Sequence, residues 1–279
     1  MKRITILIAA MIFAAAAVSA APRNYELKSP DGKLVVTVEA GEELNYSLSH
    51  ESDKLLDKSP LGMYLEDGTV FGGAQSVKKV SRRSVNETIS AVVYKKAEVK
   101  DVFNEMTLKF LKFSVIFRAY DDGMAYRFVS HIKTPYNVEN ETVRFNFAQD
   151  WNMWAAYVTH NTWSLEGQYF TSNEAQYTYT SLSEWNKDRI AMLPLMVDGP
   201  SGKKIVVTEA DNRDYPCFYL YNYEGGKELT ARIPAFPKDL KQGGHNNLQM
   251  IVESRENHIA KCKGEQAFPW RVVAVSEND

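Results

Sequence analysis

The stretch that decides the fold reads Phe-Arg-Ala-Tyr-Asp-Asp-Gly-Met-Ala-Tyr-Arg-Phe and occupies residues 117–128. Apolar and polar residues alternate on both sides of Asp121-Asp122-Gly123, and the glycine can adopt the positive φ that tight turns require. The stretch therefore predicts a β-hairpin whose long aromatic strands lie near the centre of a sheet, with Phe117 and Phe128 buried. Adjacent aspartates also suit a catalytic or metal-binding couple, but two carboxylates before a glycine are the usual composition of a turn.

The rest of the chain repeats short runs of β-branched and aromatic residues between glycine, proline and polar turns, without clear helical periodicity. The predicted strands are 34–38, 44–49, two short strands within 55–65 separated by a turn at Ser59-Pro60, 77–85, 89–94, 106–113, both hairpin strands, 142–147, 191–197, 204–208, 218–223, 228–233, 248–252 and 270–275. The segment between the predicted strands 228–233 and 248–252, which contains Gly243-Gly244, is expected to form a polar loop. About fifteen strands predict one all-β domain of two large packed antiparallel sheets.

Residues 151–185 differ from this pattern because they carry nine aromatic residues, including four of the five tryptophans, with little alternation. We expect long loops and short strands here, and long irregular segments in compact domains usually have a function. Aromatic faces stack on the C–H faces of sugars, but they also fill sandwich cores, and we expect more than half of the nine to be buried. His160 is the histidine of this segment that a binding site would use.

Acidic residues gather in two places, the aromatic segment (Glu166, Glu174, Glu184) and the end of a predicted strand (Glu209, Asp211, Asp214). Carboxylate-rich loops favour hard cations such as calcium, and solvated loop acids are the alternative. The chain contains no G-x-S-x-G elbow and no Walker loop, and its five histidines lack the spacing of zinc ligands. The sequence therefore predicts none of the catalytic centres that these motifs build.

Residues 1–20 have the form of a secretory signal peptide, with a basic start at Met1-Lys2-Arg3, an apolar run and the small-x-small site Val18-Ser19-Ala20. Residues 21–279 would then form a single exported domain, periplasmic or secreted. The apolar run is too short for a comfortable membrane span, and no later run approaches about 18 residues, so no membrane span is expected. A formal net charge of −2 provides no basic surface for nucleic acid.

Cys217 and Cys262 are the only cysteines of the chain. In an oxidising compartment an even pair is compatible with a single disulfide that joins two distant strands. Two free thiols are the alternative, and the sequence leaves both open.

Five short motifs follow one another in a recognisable order: Ser29-Pro30-Asp31-Gly32, Ser59-Pro60-Leu61-Gly62, residues 117–128, Thr-Glu-Ala-Asp-Asn-Arg-Asp-Tyr-Pro at 208–216, and Phe-Pro-Trp-Arg-Val-Val at 268–273. Together they resemble the N-terminal domain of glycoside hydrolase family 97, over about residues 27–275. The resemblance implies a β-super-sandwich of the galactose mutarotase-like kind. It also implies an exported α-glucosidase or α-galactosidase in which a central (β/α)₈ barrel carries the catalytic carboxylates.

The resemblance further implies that this chain holds no catalytic residue, because it ends at Asp279, just after the last expected strand, and the family's barrel would act in cis or in trans. In the family the N-terminal domain closes over the barrel and gives a glutamate to an interface calcium ion. The matching stretch nominates Glu174 as that ligand, with Glu166 as the second choice. We predict that His160, Trp163 and Tyr169 contact an α-glucoside or α-galactoside beside it.

Two other functions remain open on the sequence. A free-standing carbohydrate-binding protein would use the same aromatic segment without a catalytic partner. A mutarotase-like epimerase would need a histidine and a glutamate placed for ring opening, and His160-Asn161 matches that requirement poorly.

Overall fold

A computed structural model describes residues 22–159 and 164–278, in which antiparallel strands and three 3₁₀ turns are the regular structure and no α-helix occurs. The all-β prediction is therefore confirmed, whereas the predicted signal peptide lies outside the described residues. The strands are β1 (Arg23–Lys28), β2 (Leu34–Ala40), β3 (Leu44–His50), β4 (Asp53–Leu65), β5 (Val70–Phe71), β6 (Lys79–Ser90), β7 (Glu98–Lys109), β8 (Phe113–Tyr120), β9 (Gly123–Ser130), β10 (Tyr136–Asn146), β11 (Asn152–Tyr157), β12 (Thr178–Ser181), β13 (Ala191–Asp198), β14 (Lys204–Ala210), β15 (Tyr219–Tyr221), β16 (Glu228–Arg232), β17 (Pro237–Gly243), β18 (Gln249–Arg255), β19 (Ala260–Cys262), β20 (Gln266–Ala267) and β21 (Trp270–Ser276). The 3₁₀ turns are Gly167–Tyr169, Pro200–Gly202 and His245–Asn247.

The strands form two large antiparallel sheets. The first sheet has the order β1-β2-β3-β4-β10-β19, with β5 beside β4. The second sheet has the order β6-β7-β8-β9-β21-β14-β13-β11-β12, with β20 beside β9 and β15-β16 continuing from β13. The end of β10 pairs with β16 and links the two sheets, while β17 and β18 form a separate ribbon.

The hairpin predicted at residues 117–128 is β8-β9, and its inward residues lie at the centre of the core. Phe117 pairs with Tyr126 across the hairpin, and both side chains are fully buried, as is Phe128 at 1% exposure. Tyr46 of β3 contacts the same group from the first sheet, with its ring 5.2 Å from that of Tyr126. Each such aromatic side chain contributes roughly 1.5–3 kcal/mol by leaving water, so this group is a large part of the contact between sheets.

The two aspartates of the hairpin behave as turn residues. The Asp121 Oδ1 accepts a hydrogen bond from the Asp31 backbone N–H at 2.9 Å, and the Asp122 carbonyl accepts one from the Val275 N–H at 2.8 Å. Both contacts fasten the turn to neighbouring segments of backbone. The interpretation of Asp121 and Asp122 as turn residues is therefore confirmed.

Several strand boundaries differ from those predicted, and three of the differences have a clear structural reason. β4 continues through Ser59-Pro60. Pro60 lies just before the part of β4 that pairs with β10, so its missing N–H interrupts no hydrogen bond to β10. β6 is one strand that pairs with β7 over its whole length, so residues 91–97 form the connection between them rather than part of a strand. The polar segment 237–243 is a strand because it pairs with β18, a partner that its own composition does not reveal.

Cys217 and Cys262 are both free thiols, so the disulfide alternative is wrong. Cys262 is buried on β19, whereas Cys217 is exposed and accepts a hydrogen bond from the Asn212 side-chain amide at 3.3 Å. Within the described ranges no helix is long and apolar enough to cross a membrane.

Candidate functional site on the outer face of the second sheet

The second sheet buries one face in the core, and the opposite face carries the candidate site. On this outer face, directly paired residues form a row across seven neighbouring strands, which we call the outer row. Its members are Tyr179, Trp154, Met196, Val206, Ala274, Gly123 and Tyr120. Since paired strands lie about 4.8 Å apart, the row extends for roughly 29 Å across the sheet. It has aromatic residues at both ends and small or aliphatic residues between them.

The β11–β12 end of the outer row is an exposed aromatic pair. Trp154 and Tyr179 have ring centroids 4.6 Å apart and remain 38% and 47% exposed. The Tyr179 hydroxyl donates to Asp198 Oδ2 at 2.7 Å and accepts from the Asn152 amide at 3.2 Å, which fixes the ring position. Burial opposes ionisation of Asp198, but hydrogen bonds from Lys204 and Tyr179 outweigh it and hold the pKa of that carboxyl below its ordinary value.

The aromatic segment is more exposed than we expected from the sequence. Of its eight described aromatic residues only Tyr157 and Trp185 are buried, so the prediction that more than half fill the core is wrong. The exposed ones are Trp154, Phe170, Tyr177 and Tyr179. They belong to β11, β12 and the connection between these strands, so the exposed aromatic area is concentrated at one edge of the sheet.

The opposite end of the outer row is a stack of arginine and aromatic side chains. The Arg118 guanidinium lies 4.3 Å from the Phe103 ring centre and 4.5 Å from that of Trp270, while Arg127 lies 4.4 Å from Trp270. Glu105 accepts from Arg118 Nε at 2.9 Å and so orients the guanidinium. A groove of about 370 Å³ lies beside the stack. Its walls include Tyr120, Gly123, Ala125, Trp270 and Val272.

The loop before β12 folds onto the outer face near β11, β13 and β15. Its Gln168 is fully buried, donates to the Asp188 carbonyl at 2.7 Å and accepts from the Ile190 N–H at 2.9 Å. These two bonds hold the Gly167–Tyr169 turn against the start of β13. Apolar contacts complete the attachment, since a small buried cluster lies under the loop. The cluster comprises Ala156, Val158, Ile190 and Met192, covered by Leu165, Tyr169 and Ala175.

Arg232 of β16 connects the loop to the sheet. Its Nη2 lies 2.5 Å from Glu166 Oε1, its Nε donates to the Tyr169 hydroxyl at 3.3 Å, and its Nη1 donates to the Tyr223 hydroxyl at 2.9 Å. The Tyr169 ring also packs on Tyr219, with ring centres 5.3 Å apart. Burial of Tyr169 raises the pKa of its hydroxyl, so Tyr169 stays a neutral hydrogen-bonding group at physiological pH.

The predicted site residues have different outcomes. Glu166 and Tyr169 both contact Arg232. Glu174 is exposed on the same loop, and its neighbour Ala175 packs with Tyr169 on the small buried cluster. Among the described residues no hydrogen bond or ion pair reaches the Glu174 carboxylate. His160 and Trp163 lie outside the described residues. Trp154 was not predicted, although its position between the buried Met153 and Ala155 is the alternation that marks an outward residue.

The geometry separates the two candidate calcium ligands. Calcium takes six to eight oxygen ligands, and an exposed loop carboxylate offers one or two of them, so Glu174 fits one side of a site shared with another domain. Glu166 would first have to leave Arg232. The residues present therefore fit a shared calcium ion through Glu174 better than through Glu166.

The second acidic group does not converge on a cation site. Glu209 points inward and accepts from Arg271 Nη1 at 2.7 Å. Asp211 pairs instead with Arg127 at 3.1 Å and with Arg213 at 2.8 Å. These carboxylates therefore act as ion-pair partners, and the interpretation of this group as metal ligands loses its support.

Comparisons with known proteins agree with this architecture. A family model described as Glycosyl-hydrolase 97 N-terminal matches residues 27–279. A retaining alpha-galactosidase of Bacteroides thetaiotaomicron is 39% identical over 261 residues, which are 93% of this chain and 39% of that protein. A family 97 enzyme from Pseudoalteromonas sp. strain K8, solved with acarbose, superposes with a TM-score of 0.71 at 20% identity, over 91% of this chain and 36% of that one. A beta-arabinopyranosidase superposes with a TM-score of 0.74 at 20% identity, over 92% of this chain and 40% of that one. The chain thus spans about two fifths of the length of the relatives it matches.

Proposed function

Because this chain belongs to the glycosyl-hydrolase 97 N-terminal family, we propose that it is the carbohydrate-associated N-terminal domain of an exported α-glycosidase. In this proposal it packs on a (β/α)₈ catalytic barrel and contributes to the active-site side of that barrel. Glycoside hydrolysis needs two carboxyl groups placed on either side of the scissile bond, and these would come from the barrel. The domain itself is not catalytic.

The exposed aromatic pair at the β11–β12 end of the outer row carries the proposal. Trp154 and Tyr179 present ring surface to solvent on the same two strands whose connecting loop bears Glu174. Aromatic rings of this kind stack on the C–H faces of sugars, and contiguous exposed apolar surface marks binding sites. A barrel that covers this edge would bring the rings, the loop and Glu174 to one side of its active site.

Glu174 is the ligand we assign to a calcium ion shared with the barrel, and Glu166 remains the second choice. Bound calcium would supply a fixed double positive charge at the interface between the domains. Since one glutamate cannot complete its coordination, the isolated chain should hold calcium only at about millimolar affinity or worse. As for the sugar, the 39% identity to a retaining alpha-galactosidase favours an α-galactoside over an α-glucoside.

A chimeric enzyme tests the proposal. The part of the Bacteroides thetaiotaomicron alpha-galactosidase that matches this chain is replaced by this chain, and hydrolysis of p-nitrophenyl α-galactoside is measured with calcium and with a chelator. We expect an active, calcium-dependent chimera, with activity and calcium affinity both reduced by Glu174→Ala. The control is Glu87→Ala, an exposed glutamate on β6 at the opposite edge of the second sheet.

Two results would contradict this assignment. The first is hydrolysis by the isolated chain that survives repurification, which would place catalytic groups in the domain itself. The second is a chimera in which Glu174→Ala and Glu87→Ala behave alike, which would exclude Glu174 as a calcium ligand.

A free-standing carbohydrate-binding protein is the second candidate, and the 4.6 Å pair of Trp154 and Tyr179 favours it. It predicts that the isolated chain binds oligosaccharides and that Trp154→Ala abolishes the binding. Quenching of tryptophan fluorescence during titration with galacto-oligosaccharides measures this. No observation favours the mutarotase-like alternative.

A further inference from the structure

A separate group of charged residues lies where the β3–β4 turn of the first sheet meets the end of β21 in the second sheet. His50 is the last residue of β3, Glu51 follows it in the turn, and Glu277 comes directly after β21. One ligand atom from each of these three residues lies within 4.8 Å of the other two. His50 and Glu51, together with Glu277 from a distant part of the chain, thus present an imidazole and two carboxylates to one point.

His50 provides an independent sign that this point binds something. Its side chain is only 5% exposed, and its buried Nδ1 has no hydrogen-bond partner among the described residues. The nearest carboxylate oxygen, Oε1 of Glu277, is 3.9 Å away, too far for a hydrogen bond. A buried polar atom without a hydrogen-bond partner costs about 1–3 kcal/mol of folding free energy. A ligand bound by His50 Nδ1, which faces two carboxylates, would remove that cost.

The charges around His50 favour a cation. Lys33 Nζ lies 3.2 Å from Glu51 and 3.8 Å from Glu277, and Lys203 Nζ lies 2.7 Å from Asp53 and 3.9 Å from Glu51. The pair of Lys203 and Asp53 is neutral as a unit, so Lys33 is the main cation that balances the two glutamates. Lys33 is 46% exposed, and ion pairs at such positions contribute only about 0–1 kcal/mol. A divalent ion can therefore displace its ammonium group.

We propose that His50, Glu51 and Glu277 form a binding site for a divalent transition-metal ion, for which Zn²⁺ is the best match. One imidazole nitrogen and two carboxylate oxygens suit zinc, with water as the fourth ligand, whereas calcium prefers oxygen ligands alone. Zinc lies about 2.1 Å from each ligand, which places tetrahedral ligand atoms roughly 3.4 Å apart. The carboxylates of Glu51 and Glu277 are 46% and 51% exposed, so their side chains can close the remaining gap.

The ion would join the two sheets at a place where no other covalent or metal link is present among the described residues. Ligand binding to the folded state alone adds stability in proportion to RT ln(1 + [L]/Kd). The site is independent of the proposed glycosidase role, because neither Glu174 nor the outer row takes part in it. The metal-site proposal can therefore be tested separately from the glycosidase proposal.

Calorimetric titration of the chelator-treated, dialysed chain with ZnCl₂ tests the proposal, with Co²⁺ absorption as a report of the coordination geometry. We expect one Zn²⁺ per chain and a higher melting temperature with the ion. Glu277→Gln and His50→Gln should each weaken binding by about 100-fold or more, since even the loss of a residue that only supports a ligand costs 10–100-fold. Lys33→Met should strengthen binding because it removes the competing ammonium group.

Matched controls come from the β17–β18 ribbon. Lys241 and Glu253 form an exposed pair at 3.8 Å, the same separation as Lys33 and Glu277, but without a buried histidine beside them. Glu253→Gln should leave zinc binding unchanged. Glu277 is exposed and follows the last strand, so Glu277→Gln keeps the fold and serves as the deciding variant if His50→Gln does not fold. The proposal would be overturned if neither the wild type nor Lys33→Met showed saturable zinc binding. It would also be overturned if the wild type and Glu277→Gln bound zinc equally well.

Discussion

Replacing Arg271 with methionine should destabilise the domain by about 3–5 kcal/mol, because it removes the cation of a buried charge network. The Arg271 side chain is 1% exposed and donates to Glu141 at 3.1 Å and 2.6 Å and to Glu209 at 2.7 Å. Glu141 also accepts from the Tyr215 hydroxyl at 2.9 Å. These contacts tie β21 and β14 of the second sheet to β10, the strand shared by both sheets.

The magnitude follows from what the substitution leaves behind. Two carboxylates with 2% and 9% exposed side chains would remain in the core without their counter-charge, and Tyr215 would support only Glu141. Breaking a buried pair by removing one partner costs about 3–5 kcal/mol, even where the intact pair contributes little net stability. For a domain of this size each kcal/mol shifts the melting temperature by about 2–4 °C, so we expect a fall of roughly 6–20 °C.

Urea unfolding of the chain expressed without residues 1–20 measures this loss, provided that the slope of free energy against urea stays constant. Arg213→Met is the matched control, since its guanidinium lies 2.8 Å from Asp211 but its side chain is 87% exposed, and it should cost less than about 1 kcal/mol. Adding Glu141→Gln to Arg271→Met should recover part of the loss. Equal losses for Arg271→Met and Arg213→Met would refute the assignment of a buried, tightly coupled network.

Three further predictions concern other parts of the core and surface. Burial raises the pKa of Glu209 above its ordinary 4.5, so protonation of Glu209 stabilises the fold at low pH. The unfolding free energy of the wild type, relative to that of Glu209→Gln, should therefore fall as the pH rises above 4.5. A difference between the two proteins that does not change with pH would exclude a raised pKa of Glu209. Iodoacetamide should label Cys217 in the native chain and Cys262 only after denaturation, with no mass change on reduction; a gain of two daltons would restore the disulfide. Gly123→Ala should cost more than Gly68→Ala in urea unfolding, because a Cβ at Gly123 would lie 2.5 Å from the Val273 carbonyl oxygen whereas Gly68 faces open space, and similar losses would contradict the close approach.

The alternation of residues within one stretch of sequence was sufficient to predict several strands correctly. The hairpin at residues 117–128 was predicted correctly because alternation, a turn glycine and aromatic strands agree there. The same logic succeeded for residues 34–38 and 44–49, which lie within β2 and β3. It failed for residues 237–243, whose polar side chains form a strand only because β18 supplies the hydrogen-bonding partner.

The candidate site was predictable only in part. Composition directed attention to residues 151–185, and both Glu166 and Glu174 lie on the loop that covers the outer face. Composition did not distinguish buried rings from exposed ones, because burial depends on which side of a strand meets the other sheet. Nor did it reveal that Arg232, from a distant strand, would pair with Glu166 and leave Glu174 as the available carboxylate.

The amino-acid sequence by itself determined the all-β class and the family, because turn residues, alternation and short motifs act over a few neighbouring positions. The tertiary structure alone decided which side chains meet. Strand pairing brings residues from seven strands into the outer row and places His50, Glu51 and Glu277 within 4.8 Å of one another. The physical reason is that strand register and sheet packing are set by burial over the whole core, and no local stretch of sequence contains that information.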